Sequence, residues 1–452
     1  MTENLIDPET FFEFEENNKL FELKHKNFYL WDILRSDIYY KILWGNDDKI
    51  HLHKRKSFNW SYFFNIFYFV RSLLFKKYDY LFFTASRTKD DEGLFFDKNI
   101  QDFLSHFPEA QCFESHQSNL SVLKNKKITV VNPISLLSLV TKFFYKSHDF
   151  IKLVNILNSN FSTLHVTRNE INNLIIQFRI EYSFYFILFK IKKPKIIFIN
   201  QNGVQKGLFR AASKLNIPVI EIQHGIIDKG HLSYNFSKKI NYGGGRVYLP
   251  KYYFTYSEFW KNEIFYPVNE ILALGNSYYF NTFYKNKTSI VQKGILVASS
   301  DVFGEQLKEL VIDLSRKNKI PIYFKLHPNQ FYQKDYYIDS FEEFPNIQVF
   351  TDEKNLFDLI NISNAVLVIQ STAVYEALHL KRIGIIFKKQ TYMRHQHLFK
   401  DKNVYVINDA DELNDVVNNG FDEDDDKKIS YFNNFDPLTF SKFIEKLNVL
   451  SK

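Results

Sequence analysis

Short apolar runs alternate along the chain with longer segments in which apolar residues recur at helical spacing. Runs and helices of these lengths form parallel βαβ units, so the pattern predicts the α/β fold class, with two Rossmann-like domains and a cleft between them. The first domain is predicted to span residues 1–267 and the second residues 268–452, with a break near "IFYPVNEILALGN" (264–276) and a closing helix in the second domain. The predicted strands are 78–86, 127–133, 195–200, 218–223, 247–256, 294–300, 321–328, 346–350, 364–371, 382–388 and 403–408. The predicted helices lie between 200 and 218 and at 304–318, 353–361, 372–381, 410–419 and 438–450.

The amino-acid composition limits the classes of protein to which this chain can belong. The 452 residues are 45% hydrophobic and 24% charged, which is typical of a folded protein. The net charge of +7 comes from basic residues interspersed with Asp and Glu, so nucleic acid is not expected as a partner. The single cysteine, Cys112, excludes an internal disulfide and favours a reducing, cytoplasmic location. The initial "MTENLIDPETFF" lacks the apolar segment of a signal peptide.

An aromatic-rich stretch, Ser57–Phe83, bears on contact with a membrane. Its uncharged part, residues 57–70, is shorter than the roughly 20 apolar residues of a membrane span. Two interpretations stay open. The stretch is either a buried core helix or a helix lying on an anionic membrane, which would place the protein peripherally on the inner face of the cytoplasmic membrane.

The stretch "PVIEIQHGIIDKGHLSY" (218–234) ends a predicted strand at His224. Gly225 permits a positive φ or a close approach, and either would allow a sharp exit from the sheet. Because ligands of parallel sheets sit beyond the carboxyl ends of the strands, His224 is expected to face the cleft. There it can take a proton from a hydroxyl group, or it can tie the loop to the backbone, and the residues alone leave both open.

The stretch "KLHPN" (325–329) repeats this pattern in the second domain. Pro328 cannot continue a sheet ladder, so the strand is expected to end here. Lys325 and His327 at a strand end suit a phosphate group, although a surface lysine and a histidine in a turn would give the same sequence pattern.

Two further strand ends carry hydroxyl groups. Ser371 and Thr372 in "VIQSTAVYEA" precede a predicted helix, where they can cap it only or also contribute to an anion site. Glu376 lies one turn further on and can bind a ribose hydroxyl. Ser299 and Ser300 in "VASSDVFGEQ" precede another helix. Three phosphate-suited ends on three strands favour a nucleotide-binding second domain.

"EIQHG", "KLHP" and "STAVYEAL", in this order within residues 195–390, resemble bacterial GT-B glycosyltransferases that build capsule, O-antigen or lipopolysaccharide chains. The HP motif paired with a Ser/Thr motif is also similar to bacterial sialyltransferases and to enzymes that transfer polyol phosphates onto teichoic-acid-like polymers. "NFYLWDILRSDIYYKI" near the start resembles the opening of such capsule proteins.

The resemblance implies a nucleotide sugar, UDP- or CMP-linked, as the donor substrate, an oligosaccharide or lipid-linked acceptor, and no cofactor. It implies that His327 contacts the donor phosphate, that Glu376 binds the ribose, and that His224 is the general base of an inverting transfer. The donor-binding residues would be Ser299, Ser300, Lys325, His327, Pro328, Ser371, Thr372 and Glu376. The acceptor-side residues would be Gln201, Asn202, Gln223, Gly225, His231 and Tyr234.

Four further features of the sequence bear on the comparison with the family patterns. Asp91-Glu92-Gly93 matches the acidic-acidic-Gly motif of sialyltransferases, which makes Glu92 the rival base, although its context favours an exposed turn. Gly384 stands where the retaining GT-B pattern has a second Glu, and this favours inversion. The lack of a DxD triplet near a strand end agrees with a metal-independent enzyme. The pair His395 and His397 has no identifiable third zinc ligand and is interpreted as a loop lining the cleft.

Three other functions remain open at this point. The first is a glycerol- or ribitol-phosphate transferase that uses a CDP-polyol donor. The second is a non-catalytic polysaccharide assembly protein, which would bind no nucleotide. The third is an epimerase of nucleotide sugars, which would need no acceptor.

Overall fold

The computed structural model describes residues 7–44, 69–70, 77–116, 119–134, 148–161, 164–200, 205–285, 294–389, 392–419 and 429–450. The chain divides into two compact units. The first unit comprises the described residues up to Asn276 together with those from Phe435 onward, and the second unit comprises Ser277–Asn434. Each unit is built on one parallel sheet with helices packed on it, which confirms the predicted two-domain α/β fold class.

The described strands are short and mostly buried. They are β1 Lys24–His25, β2 Phe28–Tyr29, β3 Tyr80–Thr84, β4 Thr88–Lys89, β5 Phe95–Phe96, β6 Gln111–Glu114, β7 Thr129–Val131, β8 Ile196–Ile199, β9 Val219–Ile222, β10 Tyr252–Thr255, β11 Glu270–Ala273, β12 Ile295–Ala298, β13 Ile322–Lys325, β14 Ile347–Phe350, β15 Ala365–Val368, β16 Ile383–Phe387 and β17 Val404–Ile407.

The described α-helices connect and cover these strands. They are Pro8–Asn17, Trp31–Trp44, Gln101–Leu104, Ile151–Asn160, Arg168–Lys192, Lys206–Lys214, Glu258–Asn262, Ser277–Lys285, Gly304–Lys317, Lys334–Ser340, Leu356–Ile362, Ala373–His379, Ala410–Asn418 and Pro437–Leu450.

The larger sheet has seven parallel strands in the order β11-β10-β9-β8-β3-β6-β7. Its central strands read as continuous apolar runs because helices cover both faces. Phe82 of β3 and Phe198 of β8 stack at 4.5 Å in its core. The sequence pattern did not predict β6 or β11, whose polar first residues, Gln111 and Glu270, interrupt the apolar runs.

The smaller sheet has six parallel strands in the order β14-β13-β12-β15-β16-β17. All six were predicted from their apolar runs. Numbered along the unit, this is the order 3-2-1-4-5-6 of the doubly wound nucleotide-binding fold. The chain reverses its direction of winding between β12 and β15, and this switch point is where such sheets bind ligands.

The helix Pro437–Leu450 packs on the seven-stranded sheet, whereas the sequence analysis assigned it to the second domain. Asp436 caps its start by accepting from the backbone of Leu438 and Thr439, and the Asp436 N–H donates to the carbonyl of Leu274. Its apolar face then joins the aromatic core of the larger sheet. The helix residues in that core are Phe440, Phe443, Ile444 and Leu447. The boundary between units accordingly lies after Asn276 rather than at 267, and the last helix returns to the first unit.

The stretch Ser57–Phe83 lies largely outside the described residues. Its described parts are Phe69 and Val70, and Lys77 onward into β3. The Phe69 ring contacts Phe113 and Phe184 within the first unit. Among the described residues, no helix combines the length and apolarity needed to cross a membrane.

We expect Phe440→Ala to destabilise the first unit by about 3–5 kcal/mol, because it removes a buried ring from a packed core. Phe440 is 1% exposed and contacts the rings of Phe103 and Phe254. Leu438→Ala is the matched control, since Leu438 is 74% exposed in the same helix and should change stability by less than about 0.5 kcal/mol. Urea unfolding measures both, and equal effects would contradict this packing.

Candidate active site

His224 lies at the carboxyl edge of the seven-stranded sheet, directly after β9. Because β10 and β8 flank β9, polar residues that follow three neighbouring strands meet at this edge. Gln223 links two of these strand ends. Its Nε2 donates to the Gly225 carbonyl at 2.8 Å, and its Oε1 accepts from the Tyr256 N–H at 2.9 Å.

The half-buried His224 ring lies beside a buried phenol. The Tyr234 hydroxyl donates to Glu221 Oε1 at 2.6 Å and lies 3.5 Å from His224 Nδ1. Glu221 is fully buried on β9, and Tyr266 donates to its other oxygen at 3.1 Å. Burial, and after it the nearby Glu221, raises the pKa of Tyr234 well above its usual value. The phenol therefore stays protonated. Glu221, Tyr234 and His224 form a chain of polar contacts that ends at His224.

The loop after His224 is held by the helix Trp31–Trp44. Arg35 of this helix is 1% exposed and donates to the carbonyl oxygens of Leu232 and Asn235. Its guanidinium also pairs with the fully buried Glu15 at 2.5 Å. These contacts fix the backbone on both sides of Tyr234.

Two further side chains of the same helix bind this loop. Ser36 and Ser233 share a hydrogen bond between their hydroxyls at 2.9 Å, and the Tyr39 hydroxyl donates to the Gly230 carbonyl at 3.1 Å. The stretch that resembles the opening of capsule proteins therefore has a physical role, because it positions the loop that carries Tyr234.

Gly225 does not have a positive φ. A Cβ added there would meet no atom of the described residues within 4 Å. Of the two reasons proposed for this glycine, a left-handed backbone is therefore wrong, and no described atom makes the close approach.

The other five predicted acceptor-side residues divide into three groups. Gln201 and Asn202 lie outside the described residues. Gln223 and Tyr234 are almost completely buried, at 0% and 1% exposed, and their polar atoms brace the loop, so they offer no surface to an acceptor. His231 is half-buried, with its ring 4.9 Å from that of Tyr234.

Asp97 is a buried carboxyl group at the same sheet edge that sequence reasoning missed. Its Oδ2 accepts from the Ala85 N–H at 2.9 Å and from the Asn200 side chain, and its Oδ1 accepts from the Asn99 N–H at 3.1 Å. Burial raises its pKa to about 6. Asp97 directly follows β5, a two-residue strand of a separate sheet that the sequence pattern did not predict, so no strand-end pattern marks it. Glu221, in contrast, is recognisable in the sequence, because it is a charged residue inside an otherwise apolar strand.

A second buried carboxylate, Glu114, ends β6. It accepts from the hydroxyls of Thr84 and Ser86 at 2.8 and 2.7 Å, and from the His116 N–H. A cavity of about 10 Å³ lies between Asp97 and the end of β3. It is about the size of one water molecule and far too small for a sugar, so these carboxylates organise the edge.

Glu92, the rival base, lies in the turn between β4 and β5. Its backbone N–H donates to Asp90 Oδ1, Gly93 has φ of 77°, and the side chain is exposed. This is the exposed turn that the sequence context favoured. Asp90 organises this turn, and the role of Glu92 as the rival base stays a prediction.

In the second unit, three predicted strand ends lie side by side. The neighbours β13, β12 and β15 end before His327, before Ser299 and before Ser371, respectively. They all run parallel, so these ends meet at the carboxyl edge at the switch point of the sheet.

His327 begins a 3-10 helix, Pro328–Gln333, which ends the strand-like segment as Pro328 predicted. The His327 Nδ1 accepts from the Asn329 N–H at 3.2 Å. In a neutral imidazole the other nitrogen must then carry the proton, so Nε2 is an N–H donor. A half-buried N–H donor at this edge suits a phosphate oxygen.

Lys325, Ser299 and Ser300 are engaged within the protein. The Lys325 ammonium donates to the carbonyls of Thr351 and Lys354. The Ser299 hydroxyl donates to Gln330 at 2.9 Å and is 6% exposed, while Ser300 Oγ accepts from the backbone ahead of the next helix. These contacts shape the strand ends, and Lys325 is half-buried rather than the surface lysine of the alternative interpretation.

Ser371 and Thr372, after the end of β15, differ in their hydrogen bonds to the next helix. Ser371 Oγ accepts from the Ala373 N–H at 3.2 Å and so holds the start of the helix Ala373–His379. Within the described residues, the Thr372 hydroxyl makes no capping hydrogen bond. Glu376 is 1% exposed on this helix, and its contact with a ribose stays a prediction.

The two histidines of "YMRHQH" converge on one phenol. The Tyr375 hydroxyl lies 3.2 Å from His395 Nδ1 and 2.9 Å from His397 Nε2. His395 is fully buried, and burial lowers its pKa well below the usual value, so it is neutral. The segment is a 3-10 helix, Tyr392–Leu398, that packs on the helix carrying Glu376. Within the described part of the chain, no group of three or more His, Cys, Asp or Glu side chains is arranged to hold a metal ion.

Comparisons with known proteins give distant likenesses only. No protein-family model matches the chain, and no curated protein sequence matches it. Among solved structures, it is similar to the UDP-GlcNAc 2-epimerase of Methanocaldococcus jannaschii, with 12% identity over 82% of this chain and 99% of the other and a TM-score of 0.48. The MurG of Acinetobacter baumannii gives 11% identity over 75% and 90% of the two chains and a TM-score of 0.44. A glycosyltransferase of Rickettsia africae gives 12% identity over 76% and 88% and a TM-score of 0.43. Likenesses this distant do not bear on the reaction.

Asp97→Asn should remove a contribution that lowers stability as pH rises between pH 3.8 and about 6. In this window the folded protein keeps a proton on Asp97 that the unfolded chain has lost, so this residue lowers the free energy of unfolding as pH rises. The slope difference between the two proteins should approach roughly 1.4 kcal/mol per pH unit, measured by urea unfolding across the window. Titrating groups that do not interact with Asp97 are common to both proteins and cancel. Parallel curves would show that Asp97 has an ordinary pKa.

Proposed function

We propose that the protein is an inverting, metal-independent glycosyltransferase. It moves a sugar from a nucleotide-activated donor to a growing cell-surface polysaccharide or lipid-linked acceptor, at the inner face of the cytoplasmic membrane. The edge of the six-stranded sheet binds the donor, and the edge that carries His224 serves the acceptor. The sequence resemblance to GT-B transferases supports the reaction class.

One observation carries the proposal for the donor. The strand order brings the ends of β13, β12 and β15 together at the switch point, where doubly wound sheets bind nucleotides. His327 then supplies an N–H donor from Nε2, and Thr372 supplies a hydroxyl that no capping bond uses within the described residues. Fixed donors of this kind stabilise a leaving phosphate without a metal ion.

His224 is the proposed general base. Its ring takes the proton of the acceptor hydroxyl, and the hydroxyl oxygen attacks the anomeric carbon. The bond from this carbon to the phosphate oxygen breaks, and the nucleotide leaves with the electron pair. A single displacement inverts the configuration at the anomeric carbon. Gly225 supports this role, because a residue without a side chain leaves room for an acceptor beside His224. Glu92, at an exposed turn, has no comparable setting.

Nucleotide binding is the first test of the donor site. UDP, CMP, CDP, GDP and ADP are compared for their effect on thermal unfolding of the wild type, His327→Ala and Tyr332→Ala. A nucleotide at a hundredfold excess over its Kd should stabilise the protein by about 2.7 kcal/mol. We expect a shift with UDP or CMP that His327→Ala reduces. Tyr332 is 66% exposed in the same 3-10 helix, so its variant should keep the shift.

The other results separate the alternatives. A shift with CDP alone would favour a polyol-phosphate transferase, whose product contains phosphorus in the new linkage. No shift with any nucleotide would favour a non-catalytic assembly protein. Conversion of a UDP-sugar without any acceptor would identify an epimerase.

His224→Ala should lower turnover by roughly 10²–10⁴-fold, the usual contribution of a general base. Turnover is followed as nucleotide release from the sugar donor that the binding test identifies, with a lipid-linked oligosaccharide as acceptor. The variant should keep the nucleotide-induced thermal shift, which shows that it is folded and that its donor site is intact. Turnover near that of the wild type would rule out His224 as the base.

A further inference from the structure

The Tyr234 hydroxyl lies between Glu221 and His224, and its single hydrogen points to Glu221. It donates to Glu221 Oε1 at 2.6 Å, which is a short bond to a fully buried side chain. A phenol has a single hydrogen, so its oxygen can only accept from the other neighbour, His224 Nδ1, at 3.5 Å. For His224 to donate here, its proton must be on Nδ1, and the lone pair is then on Nε2.

We propose that Glu221 and Tyr234 are positioning residues that hold neutral His224 as the Nδ1–H tautomer. This inference rests on the proposed function for its catalytic meaning, because a base at a hydroxyl needs a lone pair on the nitrogen that faces it. The Tyr234 oxygen also orients the ring and favours the imidazolium that forms when Nε2 accepts a proton.

The surroundings make this arrangement rigid. Tyr266 donates to the second oxygen of Glu221 at 3.1 Å, so the carboxyl group cannot rotate away without losing a bond. Arg35 binds the carbonyls of Leu232 and Asn235 on either side of Tyr234. Preorganised groups of this kind keep a catalytic side chain in one orientation before substrate arrives.

His327 shows the opposite tautomer. Its Nδ1 accepts from the Asn329 N–H at 3.2 Å, so its proton lies on Nε2. The fold thus sets one histidine to accept a proton and the other to donate a hydrogen bond. The structure therefore assigns opposite ring states to the same residue type, and each state suits the role proposed for that residue.

Ring 15N NMR of the histidine-labelled protein at alkaline pH tests the assignment directly. Signals that disappear in His224→Ala and in His327→Ala identify the two rings. We expect a protonated Nδ1 and an unprotonated Nε2 for His224, and the reverse for His327. A protonated Nε2 in wild-type His224 would overturn the inference, whatever the enzyme's activity.

Tyr234→Phe and its matched control Tyr266→Phe complete the test. Both remove one phenol hydroxyl from Glu221, but only Tyr234 reaches His224. Tyr234→Phe should raise the Nε2–H population of His224 and lower kcat about tenfold, with the donor KM unchanged. Tyr266→Phe should keep the wild-type tautomer. A change of tautomer in both variants would overturn the specific role of Tyr234.

The proposed function can fail without the tautomer assignment. If His224 is found as the Nδ1–H form but His224→Ala retains turnover, the positioning inference stands and the base assignment falls. If His224→Ala loses turnover but wild-type His224 is the Nε2–H form, the base assignment stands and the positioning inference falls.

Discussion

A buried guanidinium holds the candidate acceptor site together. Arg35 bridges Glu15 on the first helix and the loop carbonyls at Leu232 and Asn235, and its charge lies 4.2 Å from the centre of the Phe236 ring. Removing one partner of a buried pair leaves an uncompensated charge, which typically costs about 3–5 kcal/mol. The position of Tyr234 therefore depends on the Arg35–Glu15 pair, which two helices near the start of the chain supply. The position of His224 depends on the same pair through Tyr234.

The proposed donor site depends on strand order instead. The polar residues after β12, β13 and β15 are far apart in the sequence, and the order of the six-stranded sheet makes them neighbours. The inner contacts of Lys325, Ser299 and Ser300 then hold these strand ends in place. His327 and Thr372 are the groups that we propose recognise the donor phosphate.

Apolar runs were sufficient to predict all six strands of the smaller sheet and most of the larger one, because buried parallel strands are apolar on both faces. They could not predict β6 and β11, whose first residues are polar, or that the last helix packs on the first sheet. Strand-end motifs located His224 and His327. They could not show that Gln223 and Tyr234 are buried, since this depends on tertiary contacts with Tyr256 and Glu221. Asp97 was missed because the two-residue strand that it follows, β5, is too short to give a pattern in the sequence.

The return of the helix Pro437–Leu450 to the seven-stranded sheet has a consequence for biosynthesis. The six-stranded unit contains all of its strands between Ser277 and Asn434, so it can fold as soon as this stretch has left the ribosome. The unit that begins first must wait for Phe440 and its neighbours to close its aromatic core. The order in which the two units complete their folding is therefore the reverse of the usual one, in which N-terminal domains fold first during synthesis. During this interval the exposed face of the larger sheet is the part of the nascent chain that chaperones would need to cover.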